Sequence, residues 1–459
     1  MLRAYLRRLD GERRTASRLG MVALIAACGA SAAAAQPLPT AVPQRLPEKT
    51  LSECIAIALE HHPTLKAAAA SIDAAHERIW EAASPYFPQV NGFYSELRQQ
   101  TSVAAQTQTS TGVITASNLQ VSNFFSTGAT FSQVLFDFGQ TLASIRSAQA
   151  SKRSVEDNRN TTRDTVILGV QQAYFNVLAT LRLLGVADET VRQTTKQLEQ
   201  AQGRHEVGVA PKFDVTTAEV TLANAKLNQL AARNNQAVAR ETLRNALGIN
   251  GPLDFDVVDD LGSNRSQMTS DEALEIAYRQ RPDLLSVIEQ EVAQQELVTS
   301  LQRQYYPTVN SNGQYIYKGN DYPLQETWSI GVSVNLSILN GGLVRAQIAE
   351  GDANLRVLKY NEESLRQNIA LQVRQAVLNV QQAAESISVA AKGAQQAREN
   401  LELAVGRYNT GVGNIIELTT AQVSLTSAEA SYVQALYNYQ TFVATLENAI
   451  GRPVAVEHP

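Results

Sequence analysis

The second half of this sequence repeats the first, and that repetition limits what the chain can become. Glu53, Ala58, Pro63 and Leu65 recur as Glu272, Ala277, Pro282 and Leu284, each 219 positions later. The same shift carries Tyr86-Phe87-Pro88 onto Tyr305-Tyr306-Pro307. Later in each half the shift becomes 203: Gly139 maps to Gly342, Ile145 to Ile348, Gly203-Arg204 to Gly406-Arg407, Gly208 to Gly411, and Ala246 and Gly248 to Ala449 and Gly451. Two units of one supersecondary kind therefore stand in tandem. The difference between the shifts is extra sequence in the first half, between Pro88 and Gly139. Gln99 to Gln120 is rich in Thr, Ser, Gln and Ala and has no apolar period. It predicts a solvated loop at a hairpin tip, where added length costs little. Its counterpart is the tight turn Lys318-Gly319-Asn320-Asp321.

Strands come next. From Trp328 to Ile338 the residues Trp328, Ile330, Val332, Val334, Leu336 and Ile338 alternate with Ser329, Gly331, Ser333, Asn335 and Ser337. A period of two means one apolar and one polar face, and a run of this length suits a tilted membrane-crossing strand. Val309 to Tyr317 is its partner across the turn. Phe125 to Leu135, paired with Val90 to Leu97, is the weaker version in the first half. The polar face carries small hydroxyls and no charge, as a pore lining does. Tyr315, Tyr317, Tyr322 and Trp328 cluster near one hairpin end, as an interfacial aromatic belt does. A soluble sandwich with the same alternation is the competing reading. If the strands lie in lipid, four per chain are too few to close, and several chains must share one barrel.

Between the hairpins lie long helical zones. Neither Thr141 to about Arg204 nor Val344 to about Arg407 contains proline; each would span roughly 95 Å if continuous. Return helices run from Asp214 to Leu247 and from Glu417 to Ile450. The last follows a 3-4 spacing: Leu418, Ala421, Leu425, Ala428, Tyr432, Ala435, Tyr439, Phe442, Leu446, Ala449. Its repeat partner reads Val215, Ala218, Leu222, Ala225, Gln229, Ala232, Gln236, Ala239, Leu243, Ala246. A seven-residue period implies left-handed coiled-coil packing. Gln229 and Gln236 dilute the first seam, as a wall beside water allows. The fold class expected is mainly α with membrane β: long antiparallel coiled-coil helices joined to strands of a shared β-barrel.

The N-terminus reads as an export signal. Arg3, Arg7, Arg8, Arg13, Arg14 and Arg18 precede an apolar run from Met21 to Ala27. Ala33-Ala34-Ala35 before Gln36 fits a signal-peptidase site. Ile25-Ala26-Ala27-Cys28 resembles a loose lipobox, which would make Cys28 a lipid anchor; both readings stand. The boundaries expected are a signal peptide over 1–35, an extension over 36–50, a first repeat over 51–249, a linker over 250–269, a second repeat over 270–451 and a tail over 452–459. The β-hairpins fall at about 88–138 and 307–339, and the helical hairpin tips at about 204–214 and 407–417. A net charge of -5 argues against a nucleic-acid binder. Cys54 falls opposite Ala273 and reads as a small buried residue. His61 and His62 fall opposite Gln280 and Arg281, which argues against a metal pair. No Walker loop, HExxH or Ser/His/Asp order points to catalysis, and no cofactor is expected.

The order and spacing of these motifs resemble the TolC-like outer-membrane factor family over about Leu51 to Pro453. Leu51 to Leu65 resembles the family's opening helix pair, repeated at Thr269 to Leu284, with His62 and Arg281 where the family usually has Asn. Phe136-Asp137-Phe138-Gly139 and Leu339-Asn340-Gly341-Gly342 resemble its strand-to-helix junctions. Arg407-Tyr408-Asn409-Thr410-Gly411-Val412-Gly413-Asn414-Ile415-Ile416-Glu417-Leu418 resembles its helical hairpin tip, followed by Ala421-Gln422.

The resemblance implies a homotrimer with a twelve-stranded barrel in the Gram-negative outer membrane and a helical barrel reaching into the periplasm. Asn250 to Ser270 would belong to an equatorial belt. Such a duct would carry drugs, metals or secreted polypeptides outward, driven by an inner-membrane RND or ABC transporter through a periplasmic adaptor protein. By resemblance the tips Gly208-Val209-Ala210 and Gly411-Val412-Gly413 would dock that adaptor. Asp214 and Glu417 just beyond them would form charged rings at a periplasmic gate, with Arg204, Arg407 and Lys212 as closed-state partners. The family's second acidic position is Thr420 here, and both acids also suit the first turn of a helix. A poreless periplasmic coiled-coil adaptor or scaffold, and a passive porin, are the rival readings.

Overall fold

The computed structural model describes residues 47–109, 112–259 and 268–451, and between 101 and 120 the backbone alone. The signal segment 1–35, Cys28, the extension up to residue 46, linker residues 260–267 and the tail 452–459 lie outside the described residues.

Each repeat opens with a short helix broken by proline. In the first, β1 (Glu48–Lys49) leads to α1 (Leu51–His61) and α2 (Pro63–Ala83). The second has α5 (Ser270–Gln280) and α6 (Pro282–Arg303). Thr50 and Thr269 cap these openings reciprocally with Glu53 and Glu272, so the first-turn N–H groups are satisfied at both places. Pro63 and Pro282 then begin new helices at the position where their missing N–H costs nothing. His62 is spoken for locally, its Nδ1 accepting from the Thr64 N–H at 3.3 Å.

The β-hairpins follow: β2 (Gln89–Thr109) with β3 (Gly112–Phe136), and β5 (Thr308–Gly319) with β6 (Gln325–Asn335). They join into one antiparallel sheet ordered β2-β3-β5-β6. At Gly128 the neighbouring strand comes so close that a Cβ would stand 2.2 Å from the Tyr315 carbonyl oxygen; only glycine fits there. From each hairpin a 67-residue helix departs: α3 (Gln140–Glu206) and α7 (Leu343–Asn409). Each is about 100 Å long at 1.5 Å per residue. The chain returns along α4 (Lys212–Ala246) and α8 (Ile415–Ala449). Between the repeats β4 (Asp256–Val257) pairs in parallel with β1.

Three expectations need correction. Gln99 to Gln120 is not a loop: the two strands continue through it, with Gln99 opposite Ser122 and Thr109 opposite Gly112. Their side chains lack an apolar period, but the strands satisfy one another's backbone, which needs no such period. Nor does the second hairpin's last strand reach Ile338. It stops at Asn335, where its partner β5 begins at Thr308 and offers nothing further to pair with. Leu336 and Ile338 therefore lie beyond the strand, exposed. The turn between β5 and β6 is also wider than Lys318–Asp321, since Lys318 pairs with Gln325.

The helices line up in rows of four. Near the sheet the order is α2-α3-α6-α7, and toward the hairpin tips it is α4-α3-α8-α7. Two cores between them obey the duplication. Cys54, Ala58, Leu65, Val166, Val170, Ala173, Val177 and Leu243 in one occupy the places of Ala273, Ala277, Leu284, Ile369, Val373, Ala376, Val380 and Leu446 in the other. The first coiled-coil seam departs from its reading in one respect: Gln229 donates to Asp188 on α3 at 2.7 Å, so this seam glutamine ties the helices together.

The strand-to-helix junction of the first repeat is built on Asp137. One carboxylate oxygen accepts from the Thr141 N–H at 2.7 Å, and the other from the Gly139 N–H at 3.1 Å and the Tyr86 hydroxyl at 2.9 Å. Burial pushes this carboxyl up, but the bonds from Thr141, Tyr86 and Gly139 outweigh it and hold it below the usual range. A depressed carboxyl stabilises the fold above its unfolded value, about pH 4, and that contribution is lost as pH falls through the lowered value. Asp137→Ala should cost about 1–3 kcal/mol. Thermal unfolding of the detergent-solubilised protein measures it, and Asp137→Ala should also flatten the acid limb of stability against pH.

Candidate functional site at the hairpin tips and the strand face

The two helical hairpins reverse direction by the same device. Gly208 and Gly411 both sit at φ 77°, a left-handed conformation that closes a helix at little cost only for glycine. Val209 and Ala210 N–H groups then donate back to the Arg204 carbonyl, and those of Val412 and Gly413 to the Arg407 carbonyl. Asn414 caps α8 by accepting from the Glu417 N–H at 2.8 Å. Pro211 at the matching place on α4 has no side chain to do so.

The backbone is symmetric; the side chains are not. Arg204 crosses to the other hairpin. Its Nη1 donates to the Tyr408 carbonyl at 2.7 Å, and its guanidinium lies 4.8 Å from the Tyr408 ring centroid. The Tyr408 hydroxyl in turn donates to Asp214 at 3.3 Å. Arg204, Tyr408 and Asp214 thus form one chain of contacts linking both tips. Arg407, the repeat twin of Arg204, stays within its own hairpin and donates to Glu417 at 2.8 Å. Lys212 is exposed at the start of α4 and joins neither set. Burial, then the Asp214 charge and its hydrogen bond, push the Tyr408 phenol up; it stays protonated and a donor throughout the neutral range.

Sequence reasoning found four members of these two clusters and missed Tyr408. The signal was present, because the 203-residue shift sets Tyr408 opposite His205. His205 pairs with its own tip at the Ala210 carbonyl, 2.9 Å away, while the longer phenol reaches across. Around the clusters the tips are apolar and open. Val207, Val209, Phe213, Val412 and Ile416 are all more than half exposed, whereas Ala210 is buried.

At the other end, Trp328, Ile330, Val332 and Val334 are exposed on one face of β6. The register places Val90 and Phe131 on that same face, because Val90 pairs with Phe131, Phe131 with Gly313, and Gly313 with Ile330. The opposite face carries Asn91, Ser95, Ser126, Thr130, Asn312, Gln314, Thr327 and Ser329. A bulge between Val134 and Phe136 turns Phe136 onto the apolar face opposite Val309. Beside it lies a second aromatic group that the sequence reading overlooked. Phe136 meets Phe138 edge-on at 4.7 Å, Phe138 stacks on Tyr306 at 5.6 Å, and Trp80 meets Phe87 at 6.2 Å. With Tyr315, Tyr317, Tyr322 and Trp328 at the far end, aromatic groups flank the apolar band on both sides, as at two membrane interfaces. No described helix is long and apolar enough to cross a membrane. Among the described residues no cluster of His, Cys, Asp or Glu could hold a metal ion.

The family model described as outer membrane efflux protein matches residues 54–249 and 273–452. Outer membrane protein TolC of Escherichia coli (strain K12) is 25% identical over 407 residues, covering 85% of this chain and 80% of the relative. Outer membrane efflux protein BepC of Brucella suis is 23% identical, covering 89% of this chain and 86% of its own length. Among solved structures, the CmeC outer membrane channel of Campylobacter jejuni superimposes with a TM-score of 0.75 at 19% identity, covering 87% of this chain and 85% of that one.

The link between the tips is directly measurable. With spin labels at Val209 and Val412, Arg204→Ala should broaden the distance distribution most. Tyr408→Phe, which keeps the ring and removes one bond, should broaden it less. Identical distributions in both variants would show that the link carries no weight.

Proposed function

The chain belongs to the outer membrane efflux protein family, and on that premise we propose how this outer-membrane efflux channel works: three copies close side by side into one duct. The observation that carries the reading is that every layer is open at the same two edges. The sheet ends in β2 and β6, the upper helical row in α2 and α7, the lower row in α4 and α7. Free strand edges are not tolerated in lipid. The edge helices expose apolar side chains far from lipid, with Leu227, Leu230 and Val238 on α4 and Val357, Leu371, Leu378 and Val389 on α7. Joining one copy's first-repeat edge to the next copy's second-repeat edge covers both. Repeated three times, it yields twelve strands and twelve helices.

The exposed valines at the tips suit docking of a periplasmic adaptor, which would couple the duct to an inner-membrane RND or ABC transporter. Asp214 and Glu417 would form two acidic rings at the periplasmic mouth. They differ in strength. Glu417 is neutralised by Arg407, whereas Asp214 meets only a neutral phenol and keeps its field, so cation selectivity should rest on Asp214. Lys212, two residues before Asp214 and unengaged, is positioned to reach a neighbouring subunit. Transport needs no bond chemistry from this chain; the pump supplies the energy.

Two measurements test this. Leu230→Asp should abolish the detergent-stable trimer seen by light scattering, leaving monomer; an intact trimer would remove α4 from the interface. In planar bilayers, Asp214→Ala with Glu417→Ala should raise conductance, and Asp214→Ala alone should lower cation selectivity more than Glu417→Ala. Unchanged conductance and selectivity would take both acids out of the gate.

A further inference from the structure

The four strands do not end together. Pairing of β3 with β5 begins only at Phe125 opposite Gly319, and β5 leaves β6 at Lys318 opposite Gln325. Pairing of β2 with β3 runs on from Arg98 opposite Asn123 to Thr109 opposite Gly112. Beyond the rim of the sheet there remains a two-stranded arm, Gln99–Thr109 with Gly112–Ser122. It extends about 36 Å at 3.3 Å per residue.

Such an arm is an unfinished structure. A lone two-stranded ribbon is marginal in water, and both its edges offer unpaired N–H and C=O groups. Proteins that leave edges free protect them with charge, proline or bulges. None is here: from Gln99 to Ser122 there is no Asp, Glu, Lys, Arg or Pro. Charge stops at the rim, with Glu96 and Arg98 on β2 and Lys318, Asp321 and Glu326 around the shorter hairpin. An unprotected edge implies a strand that covers it. The arm's outer edge continues the edge of β2, which in the threefold tube already belongs to the next copy. The occupant that this continuity selects is the same arm of a neighbouring subunit.

We infer that the three β2–β3 arms pair with one another edge to edge and close the external mouth of the duct. The inference rests on the threefold tube proposed above. Where β5 and β6 stop, the wall falls from twelve strands to six. Eight strands already leave an interior just filled by side chains, so a six-stranded collar leaves only narrow gaps that pass small ions and hold back cargo. The absence of charge lets three arms meet on the axis without repulsion. Polar strands without an apolar face also hold their register weakly, so cargo pushed from within can part them.

The test uses the full chain and a shortened one in which Gln99–Ser122 is replaced by the turn sequence Gly319–Leu324, which already joins a pair in the register of Arg98 and Asn123. The shortened chain should still form trimers, since the arm lies outside the sheet. Its bilayer conductance should rise roughly twofold or more as the six-stranded constriction is removed. In the full chain, Ala104→Cys with Ile114→Cys and a short bismaleimide should give covalent trimers on denaturing gels, which the parent chain with its buried Cys54 should not. Intact trimers with unchanged conductance in the shortened chain, and only monomer bands after cross-linking, would overturn the collar. Failure of the parent chain to trimerise would instead overturn the tube beneath it.

Discussion

A backbone amide in hydrocarbon has nothing to bond except another backbone, and this structure is arranged around that constraint. The sheet β2-β3-β5-β6 has an apolar face flanked by aromatic groups and two edges that its own chain cannot cover. The consequence passes down the molecule because strands and helices are continuous. α3 leaves directly from β3, and α7 follows closely on β6. An edge in the sheet therefore becomes an edge in each helical row below it. Whatever closes the strands must close the helices at the same seams. One requirement in the membrane thus sets the symmetry of parts that never touch lipid.

Duplication supplies the repeated wall, and departures from it mark where function differs. Eight buried positions match across the two cores, from Cys54 and Ala273 to Leu243 and Leu446. Three departures bear on the architecture. Tyr174 stands where the second repeat has Val377, and its hydroxyl donates to the Val258 carbonyl at 2.5 Å and the Lys49 carbonyl at 3.3 Å. That hydroxyl anchors the small β1–β4 ledge. Tyr408 stands where the first repeat has His205 and turns two self-contained tips into one linked pair. The extra residues of β2 and β3 are the third break, at the opposite end of the chain.

Much of this was legible from periodicity. The long helices, their return partners and the exposed strand face of Trp328 to Val334 followed from spacings of seven and two, because one face of each must be buried or covered. Strand content between Gln99 and Gln120 was not legible. Alternation reports a side-chain face, and a ribbon with water or a sister chain on both sides has none to report. The end of β6 was hidden for a related reason: Leu336 and Ile338 keep the pattern, but pairing stops where the partner strand stops. At the tips, the charged residues were found by type and position. Tyr408 escaped because an aromatic beside a helix end reads as packing until its hydroxyl is seen on Asp214.

The magnitudes at the tips bear on the proposed gate, because they say how firmly the two hairpins of one chain are tied together. The contacts are partly exposed and polar, each worth about 1 kcal/mol. A single subunit's link would therefore leave its tips parted a sizeable fraction of the time. Threefold repetition would change this, because the tube proposed above would open smoothly only if all three tips moved. Links repeated in three copies sum to several kcal/mol, near the roughly 5.5 kcal/mol that separates a mostly closed from a mostly open population. If an adaptor docks as proposed, seated on Val209 and Val412, it would need only about 2 kcal/mol of preference for the open tip per subunit to reverse that balance. Stronger ties, such as a buried ion pair at each tip, would lie beyond what a few exposed valines can offset. A link as weak as Arg204–Tyr408–Asp214 would therefore suit the proposed gate as a latch that docking releases.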